Sequence, residues 1–198
     1  MSTGDDQPYS GSGSFPEGPQ DVVVGLGNPL MTDDGIGLAA LARLRDEWEI
    51  SPVLELVDGG TWGMNLLPVI EGARRLLLID AIRSGMPPGT EAVLSREEIP
   101  RYLATKLSPH QIDLREVLAI AELRGTLPER TVAIGLEPAR VELGTTLSAP
   151  VEAKLDRLVA LVVEQLRQWG YTCRPQRFIE RDLRNRSDDR GWEPDLRA

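Results

Sequence analysis

Two aspartates and one histidine are the side chains of this 198-residue chain best suited to do chemistry together. Asp34, Asp80 and His110 each follow an apolar stretch punctuated by glycine or proline, and His110 is the only histidine. Two carboxylates and one imidazole form an oxygen and nitrogen donor set that suits a borderline divalent metal ion. These residue types predict a metal-dependent site, provided that the fold brings the three side chains together.

The first of these acids follows a glycine-rich segment, G-L-G-N-P-L-M-T-D-D-G-I-G, at residues 25–37. A dinucleotide-binding fingerprint would need a third glycine where Leu30 stands, and a pyrophosphate would meet two carboxylates there. The glycines instead predict a tight turn that brings Asp34 to the edge of a sheet. Capping of the following helix is the alternative role for an acid here, and Asp33 is the better candidate for the cap.

Asp80 ends the apolar run L-L-L-I-D, where a carboxylate is costly to bury unless it is paired or bound to a metal. Functional and structural roles both remain open for it. Asp58 precedes Gly59 and Gly60, so we expect it to support a turn or the site rather than to act directly.

His110 lies in the segment L-S-P-H-Q, immediately before a predicted helix. A loop histidine held by hydrogen bonds and a histidine that points across a cleft are both consistent with this position. Any mechanism that needs an imidazole as base or ligand has no other candidate.

A side-chain nucleophile is not predicted. Cys173 lies beyond the last predicted helix, and Ser108 is two residues from His110, a spacing that does not direct one side chain at the other. The chain contains no G-x-S-x-G segment, and a single histidine excludes an H-E-x-x-H zinc protease.

Strands and helices alternate along the chain. Apolar stretches predict strands at 22–26, 53–57, 76–79, 92–94 and 132–136, and helical spacing or capping signals predict helices at 36–48, 64–70, 97–103, 113–123 and 148–169. This order is typical of an α/β sheet covered on both faces. Because such sheets bind ligands at the carboxyl ends of their strands, we expect Asp34, Asp58, Asp80 and Glu137 to converge on one edge. A bound cation would relieve the repulsion among them.

Composition limits the remaining function classes. The net charge of −9 argues against nucleic-acid binding, and no apolar run approaches the roughly 18 residues that span a bilayer. One cysteine excludes an internal disulfide, and residues 1–20 lack the features of a signal peptide, so we expect a cytoplasmic protein. We also expect a monomer that neither binds nucleic acid nor inserts into a membrane. We predict a flexible leader at 1–20, one α/β domain at 21–173 and a charged, disordered tail at 174–198.

Five segments in order carry a family resemblance between Asp21 and Tyr171. They are 25–37, D-G-G-T at 58–61, L-I-D-A at 78–81, S-P-H-Q at 108–111, and V-A-I-G-L-E-P at 132–138. Together they resemble the hydrogenase maturation endopeptidases, which process the large subunit of nickel–iron hydrogenases. The resemblance implies a three-layer α/β/α fold with a mostly parallel five-stranded mixed sheet.

The resemblance also implies roles for three residues. The metal-contacting acid of the family falls on Asp34, its strand-end aspartate on Asp80 and its histidine on His110. Some members carry Glu at the Asp34 position, and Asp, one methylene shorter, also occurs there. Enzymes of this family remove a C-terminal extension from the large-subunit precursor after nickel insertion. The expected partner is therefore that precursor, and the expected metal is Ni²⁺ supplied by it.

Two hypotheses of different classes follow. The leading one is a nickel-dependent processing endopeptidase that acts at Asp34, Asp80 and His110. The other is a non-catalytic nickel-sensing maturation chaperone of the same fold, which would bind the precursor without changing its mass. A nucleotide-binding α/β protein is a third, more distant possibility.

Overall fold

A five-stranded mixed sheet forms the centre of the molecule. The computed structural model describes residues 20–99 and 114–176, and all statements on structure refer to these ranges. The strands are β1 (Asp21–Leu26), β3 (Glu55–Gly60), β4 (Arg75–Ala81), β5 (Glu91–Ser95) and β6 (Arg130–Leu136). Their order is β3-β1-β4-β6-β5, and only β5 is antiparallel to its neighbour. The predicted mostly parallel sheet with an added edge strand is confirmed.

Helices cover both faces of this sheet. They are α1 (Ile36–Glu47), α2 (Leu67–Gly72), α3 (Leu114–Leu123), α4 (Ala149–Glu152) and α5 (Leu155–Gln168). Val23 of β1 packs in one core with α1 and α5, whereas Val22 and Val24 pack in a second core with α2 and α3. Alternate residues of one strand thus face two apolar layers, which explains why all six residues of β1 are buried. The three-layer α/β/α prediction is confirmed.

Several predicted boundaries differ from the structure. The single helix expected at 148–169 is two helices, because the backbone turns at Ala153 and Lys154. The second strand begins at Glu55 rather than Val53 and includes both glycines that were assigned to a turn. The helix predicted at 97–103 lies mostly outside the described residues.

A second, two-stranded sheet was not predicted. β2 (Trp48–Ser51) follows α1 directly and pairs in antiparallel fashion with β7 (Thr172–Pro175). Arg174 and Pro175 therefore have regular structure, next to the predicted end of the domain at 173. Residues 1–19 of the leader and 177–198 of the tail lie outside the described residues. No helix within 20–99 and 114–176 is long and apolar enough to cross a membrane.

The amino edge of the sheet is held by a buried charge cluster. Asp21 is 2% exposed and accepts hydrogen bonds from Arg74, Arg75 and the Tyr171 hydroxyl, the last at 2.8 Å. The Arg75 guanidinium also lies 4.8 Å from the centre of the Trp169 ring. Burial opposes ionisation of Asp21, but the donors from Arg75, Arg74 and Tyr171 outweigh it and hold the pKa of this carboxyl well below its ordinary value. This cluster joins β1 and β4 to the end of α5.

Candidate active site at the carboxyl edge of the sheet

The carboxyl ends of four parallel strands meet at one edge of the sheet. Asp34 follows β1, Asp58 lies two residues before the end of β3, Asp80 is the penultimate residue of β4, and Glu137 follows β6. The predicted convergence of these acids on one edge is confirmed by the strand directions. Their surroundings differ, and the differences separate structural acids from candidates for chemistry.

A folded-back loop places Asp34 beside β1. Gly27 has φ +109°, and a Cβ on it would lie 1.7 Å from the Asp34 carbonyl oxygen, so only glycine fits at this contact. The Asn28 N–H donates a 2.8 Å hydrogen bond to Asp34 Oδ2, and the Asp34 N–H donates to the Met31 carbonyl at 3.0 Å. The loop therefore holds one carboxylate oxygen of a half-buried Asp34 in place.

Close packing of α1 brings this loop to the strand that carries Asp80. A Cβ on Gly37 would lie 2.2 Å from the Ile79 carbonyl oxygen and 2.4 Å from that of Leu26. The first turn of α1 thus touches the ends of both β1 and β4, and the 3-10 turn Thr32–Gly35 contacts β4 as well. The turn with Asp34 and the strand end with Asp80 are neighbours for this reason.

Asp80 is a buried acid at this edge. It is 5% exposed, and its Oδ1 accepts a 2.8 Å hydrogen bond from the Ala81 N–H. A carboxylate in this position has lost most of its hydration, so its charge depends strongly on the groups around it.

Glu137 holds a neighbouring loop rather than facing the edge freely. It is 8% exposed, and its Oε2 accepts from the Ser84 N–H at 2.6 Å, from the Ser84 hydroxyl at 2.8 Å and from the Met86 N–H at 3.3 Å. These bonds fix residues 82–90, the connection between β4 and β5. Asp58 is exposed although it lies within β3.

The prediction that Asp33 caps α1 is wrong. The N-cap of α1 is Gly35, and no side chain caps this end. Asp33 is fully buried instead, and its carboxylate accepts from the N–H groups of Ala139, Arg140 and Ser148 and from the Ser148 hydroxyl. Burial raises the pKa of Asp33, but these four donors outweigh it and leave the pKa below its ordinary value.

Ser148 joins the same junction. It is the N-cap residue of α4, and Pro150 lies in the first turn, but the Ser148 side chain makes no capping hydrogen bond. Its hydroxyl donates to Asp33 Oδ2 at 2.8 Å. One residue thus ends the loop after β6 and ties it to the loop after β1.

Comparison with known proteins identifies the family. The model of the hydrogenase maturation protease family matches residues 38–165. The chain belongs to this family. The matched range contains Asp80 and His110 and begins just after Asp34.

Individual maturation proteins are similar over most of the chain. The hydrogenase expression/formation protein HoxM of Cupriavidus necator is 38% identical over 151 residues, which are 75% of each chain. The hydrogenase 2 maturation protease of Escherichia coli is 34% identical over 159 residues, 80% of this chain and 97% of the relative.

Solved structures of maturation proteases share the fold. The hydrogenase maturating endopeptidase HybD of E. coli aligns with a TM-score of 0.74 and 34% identity, over 79% of this chain and 97% of that one. HybD of Thermococcus kodakarensis aligns with a TM-score of 0.57 and 26% identity, over 74% of this chain and 98% of that one.

The third predicted site residue of this maturation protease, His110, lies outside the described residues. Within 20–99 and 114–176, no three His, Cys, Asp or Glu side chains are grouped to hold a metal ion. The set of Asp34, Asp80 and His110 therefore stays a prediction, of which the structure positions two members.

Cys173 is not placed as a nucleophile in this protease. It is buried in β7, 5% exposed, and burial raises the pKa of its thiol. Its strand pairs with β2 at the end of α1, away from the carboxyl edge.

Proposed function

We propose that this protein is an endopeptidase that removes the C-terminal extension of a nickel-loaded nickel–iron hydrogenase large-subunit precursor. The observation that carries the proposal is the pair of acids at the ends of adjacent strands β1 and β4, in a chain of the maturation protease family. Relatives over most of its length are named as a hydrogenase expression/formation protein and a hydrogenase 2 maturation protease. We place the reaction in the cytoplasm and expect the enzyme to act as a monomer.

The donor set supports a metal that arrives with the substrate. Asp34 Oδ2 is held by the Asn28 N–H and Asp80 Oδ1 by the Ala81 N–H, so both carboxylates are oriented before any ligand binds. With His110 they would supply two oxygens and one nitrogen, a partial set that leaves room for ligands from the substrate. Nickel bound in this way would polarise the scissile carbonyl or report that insertion is complete.

In the proposed reaction, the protein's own residues orient the precursor and handle protons. A carboxylate at Asp34 or Asp80 can accept a proton from the attacking water, and His110 is the one imidazole that can exchange a proton with the leaving amine. No covalent intermediate is expected, because no serine or cysteine nucleophile is predicted.

Exposed apolar side chains around the same edge support a protein substrate. Leu30, Trp62, Met86 and Leu143 are 57%, 50%, 54% and 86% exposed and lie on the four loops that follow β1, β3, β4 and β6. These loops are joined by backbone hydrogen bonds, including Gly27 N–H to the Gly60 carbonyl and Gly144 N–H to the Leu30 carbonyl. These four exposed side chains, which we call the apolar rim, favour contact with a protein substrate because they lie on neighbouring loops at one edge.

The test is the mass of the partner large subunit after incubation with this protein. We expect loss of the C-terminal extension from the nickel-loaded precursor and no change in the nickel-free precursor. His110→Ala is expected to stay folded and to leave the loaded precursor intact. Equal cleavage with and without nickel would contradict the proposal that the substrate supplies the metal. Normal processing of the precursor by His110→Ala would show that His110 is not part of the site. Binding of the precursor by the wild type without any mass change would favour the chaperone.

A further inference from the structure

Asp33 forms a buried latch between two loops at the carboxyl edge. Its Oδ2 accepts from the Ala139 N–H at 2.8 Å, the Arg140 N–H at 3.0 Å and the Ser148 hydroxyl at 2.8 Å, and its Oδ1 accepts from the Ser148 N–H at 2.6 Å. The carboxylate is 0% exposed, so it cannot touch a substrate. All four donors belong to residues 139–148, the loop that follows β6.

Thr32 reinforces the same junction. Its N–H donates to the Gly144 carbonyl at 2.7 Å, its hydroxyl donates to the Arg140 carbonyl at 3.1 Å, and it accepts from the Glu142 N–H at 3.1 Å. Thr32 has φ +41°, which places a β-branched residue in the left-handed region. Such a conformation costs free energy and persists only where the surroundings hold it. The 139–148 loop therefore holds the turn Thr32–Gly35 in a shape that the turn does not favour alone.

We infer that Asp33 is a positioning residue that sets the carboxylate of Asp34 through this latch. Asp34 follows Asp33 directly, and among the described residues the hydrogen-bond donor to its side chain is the Asn28 N–H. If the turn rotates, the Asp34 oxygens move relative to Asp80 on β4. Misplacement of a reacting group by about 1 Å can reduce a rate by about 100-fold. The inference rests on the proposed peptidase function for its kinetic consequence.

Two variants weaken the latch to different degrees. Asp33→Asn places an amide N–H₂ against backbone N–H donors that cannot turn away, so at least one of the four bonds becomes a repulsion. Ser148→Ala removes only the hydroxyl donor at 2.8 Å and leaves the backbone bonds in place. Ser148→Ala remains informative where Asp33→Asn fails to fold.

The amino edge offers a matched control. Tyr171→Phe also removes one hydroxyl donor, at 2.8 Å, from a buried carboxylate with several donors, that of Asp21. A purely structural role for Asp33 predicts that Ser148→Ala and Tyr171→Phe behave alike once both are folded. A positioning role predicts that only Ser148→Ala affects the reaction.

The experiment measures kcat and KM for the nickel-loaded precursor well below the unfolding temperature of each variant. We expect kcat to fall about tenfold or more in Asp33→Asn and severalfold in Ser148→Ala, with KM within about twofold of wild type. Tyr171→Phe should keep the wild-type kcat although its unfolding temperature falls. An unchanged kcat in Ser148→Ala, or the same loss in Tyr171→Phe, would overturn the inference.

Hydrogen exchange supplies a readout that does not need the reaction. The amides of Asn28, Met31 and Asp34 should exchange faster in Ser148→Ala than in wild type, and at the wild-type rate in Tyr171→Phe. A wild type that cuts no precursor contradicts the proposed function and leaves this prediction standing. Unchanged exchange at these amides in Ser148→Ala contradicts the latch, whatever the activity.

Discussion

Asp34 and Asp80 each accept a hydrogen bond from a backbone N–H group, and this allows the effect of their charge to be tested apart from their geometry. In each case an N–H group, that of Asn28 or of Ala81, donates to one carboxylate oxygen. An asparagine can keep that bond through its amide oxygen while losing the negative charge. The two positions therefore allow a test of charge with little change in shape.

We expect Asp34→Asn and Asp80→Asn to lower kcat for precursor processing by about 100-fold or more, because a neutral amide neither binds a cation well nor accepts a proton. Rates measured by mass spectrometry of the precursor check this. The control is Asp46→Asn, which removes an exposed acid on α1 and should process at the wild-type rate. Wild-type rates in either site variant would exclude that carboxylate from the reaction.

The role of Asp33 shows where prediction from local sequence ends. An acid before a helix is an ordinary cap, and nothing within a few residues indicates another role. The donors that Asp33 accepts from lie 106, 107 and 115 residues further along the chain. Asp34, Asp80 and Glu137 were easier to place, because a strand followed by an acid is a local signal.

At the scale of elements, close contacts between α1, β1 and β4 shape the site, and glycines permit them. Gly27 shows this most clearly, because its Cα lies against the backbone of the turn that contains Asp34. A methyl group there meets backbone atoms, which cannot rotate out of the way as a side chain can. Substitution must displace the loop or the turn.

Gly27→Ala is expected to abolish detectable processing and to destabilise the protein, because φ +109° is unfavourable for alanine and its Cβ would overlap the Asp34 carbonyl. Gly170→Ala is the matched control. Gly170 has φ +94° just after α5, and among the described residues no atom beyond its chain neighbours lies within 4 Å of an added Cβ. It should lose about 1 kcal/mol of stability but keep its activity when assayed in the folded state. Equal activity of the two variants would show that the Gly27 loop does not position the site.

The exposed apolar rim predicts an effect on binding rather than on the chemical step. Leu143→Ser should raise KM for the precursor severalfold with little change in kcat, because it removes apolar contact area from the loop beside Leu30. Leu123→Ser at the end of α3 is the control, since Leu123 is 89% exposed and Leu143 is 86% exposed. Both variants should fold normally. If KM rises equally in both, the rim is not the docking surface.

Elements whose own residues show an apolar run or a helical period were predicted well, and elements without such a pattern were missed. The strands of the main sheet and α1 each have a run of apolar residues or a helical period. β2 and β7 are four residues each, and their pairing joins Trp48 to Pro175 across most of the chain. No pattern within either segment indicates the other.

Across the molecule, the acids at the two edges of the sheet have different roles. The acids of the carboxyl edge are candidates for chemistry, whereas Asp21 at the amino edge is surrounded by donors that stabilise its charge. A carboxyl whose pKa is lowered in the folded state stabilises the protein above its unfolded pKa, about 3.9. That contribution is lost as the pH falls from there towards the lower pKa of the folded state.

We therefore expect the free energy of unfolding of wild type to decrease more steeply than that of Asp21→Asn below about pH 4. The excess slope should approach about 1.4 kcal/mol per pH unit, the value for one additional proton taken up on unfolding. Urea unfolding at several pH values measures both slopes. Asp33 is present in both proteins and does not affect the comparison. Parallel curves would mean that Asp21 has an ordinary pKa in the folded protein.

Strand order has a consequence for the direction from which a substrate can arrive. β4 and β5 are separated in the sheet by β6, so residues 82–90 must cross the carboxyl end of β6. The Glu137 side chain holds this connection through hydrogen bonds, and its backbone also forms hydrogen bonds with Gly89 and Thr90. On the opposite flank, β3 is the edge strand and Asp58 is exposed. Residues 82–90 therefore cover the strand ends on the β6 side. We expect a polypeptide bound across Asp34 and Asp80 to extend towards β3, because among the described residues this connection occupies the other side of the edge.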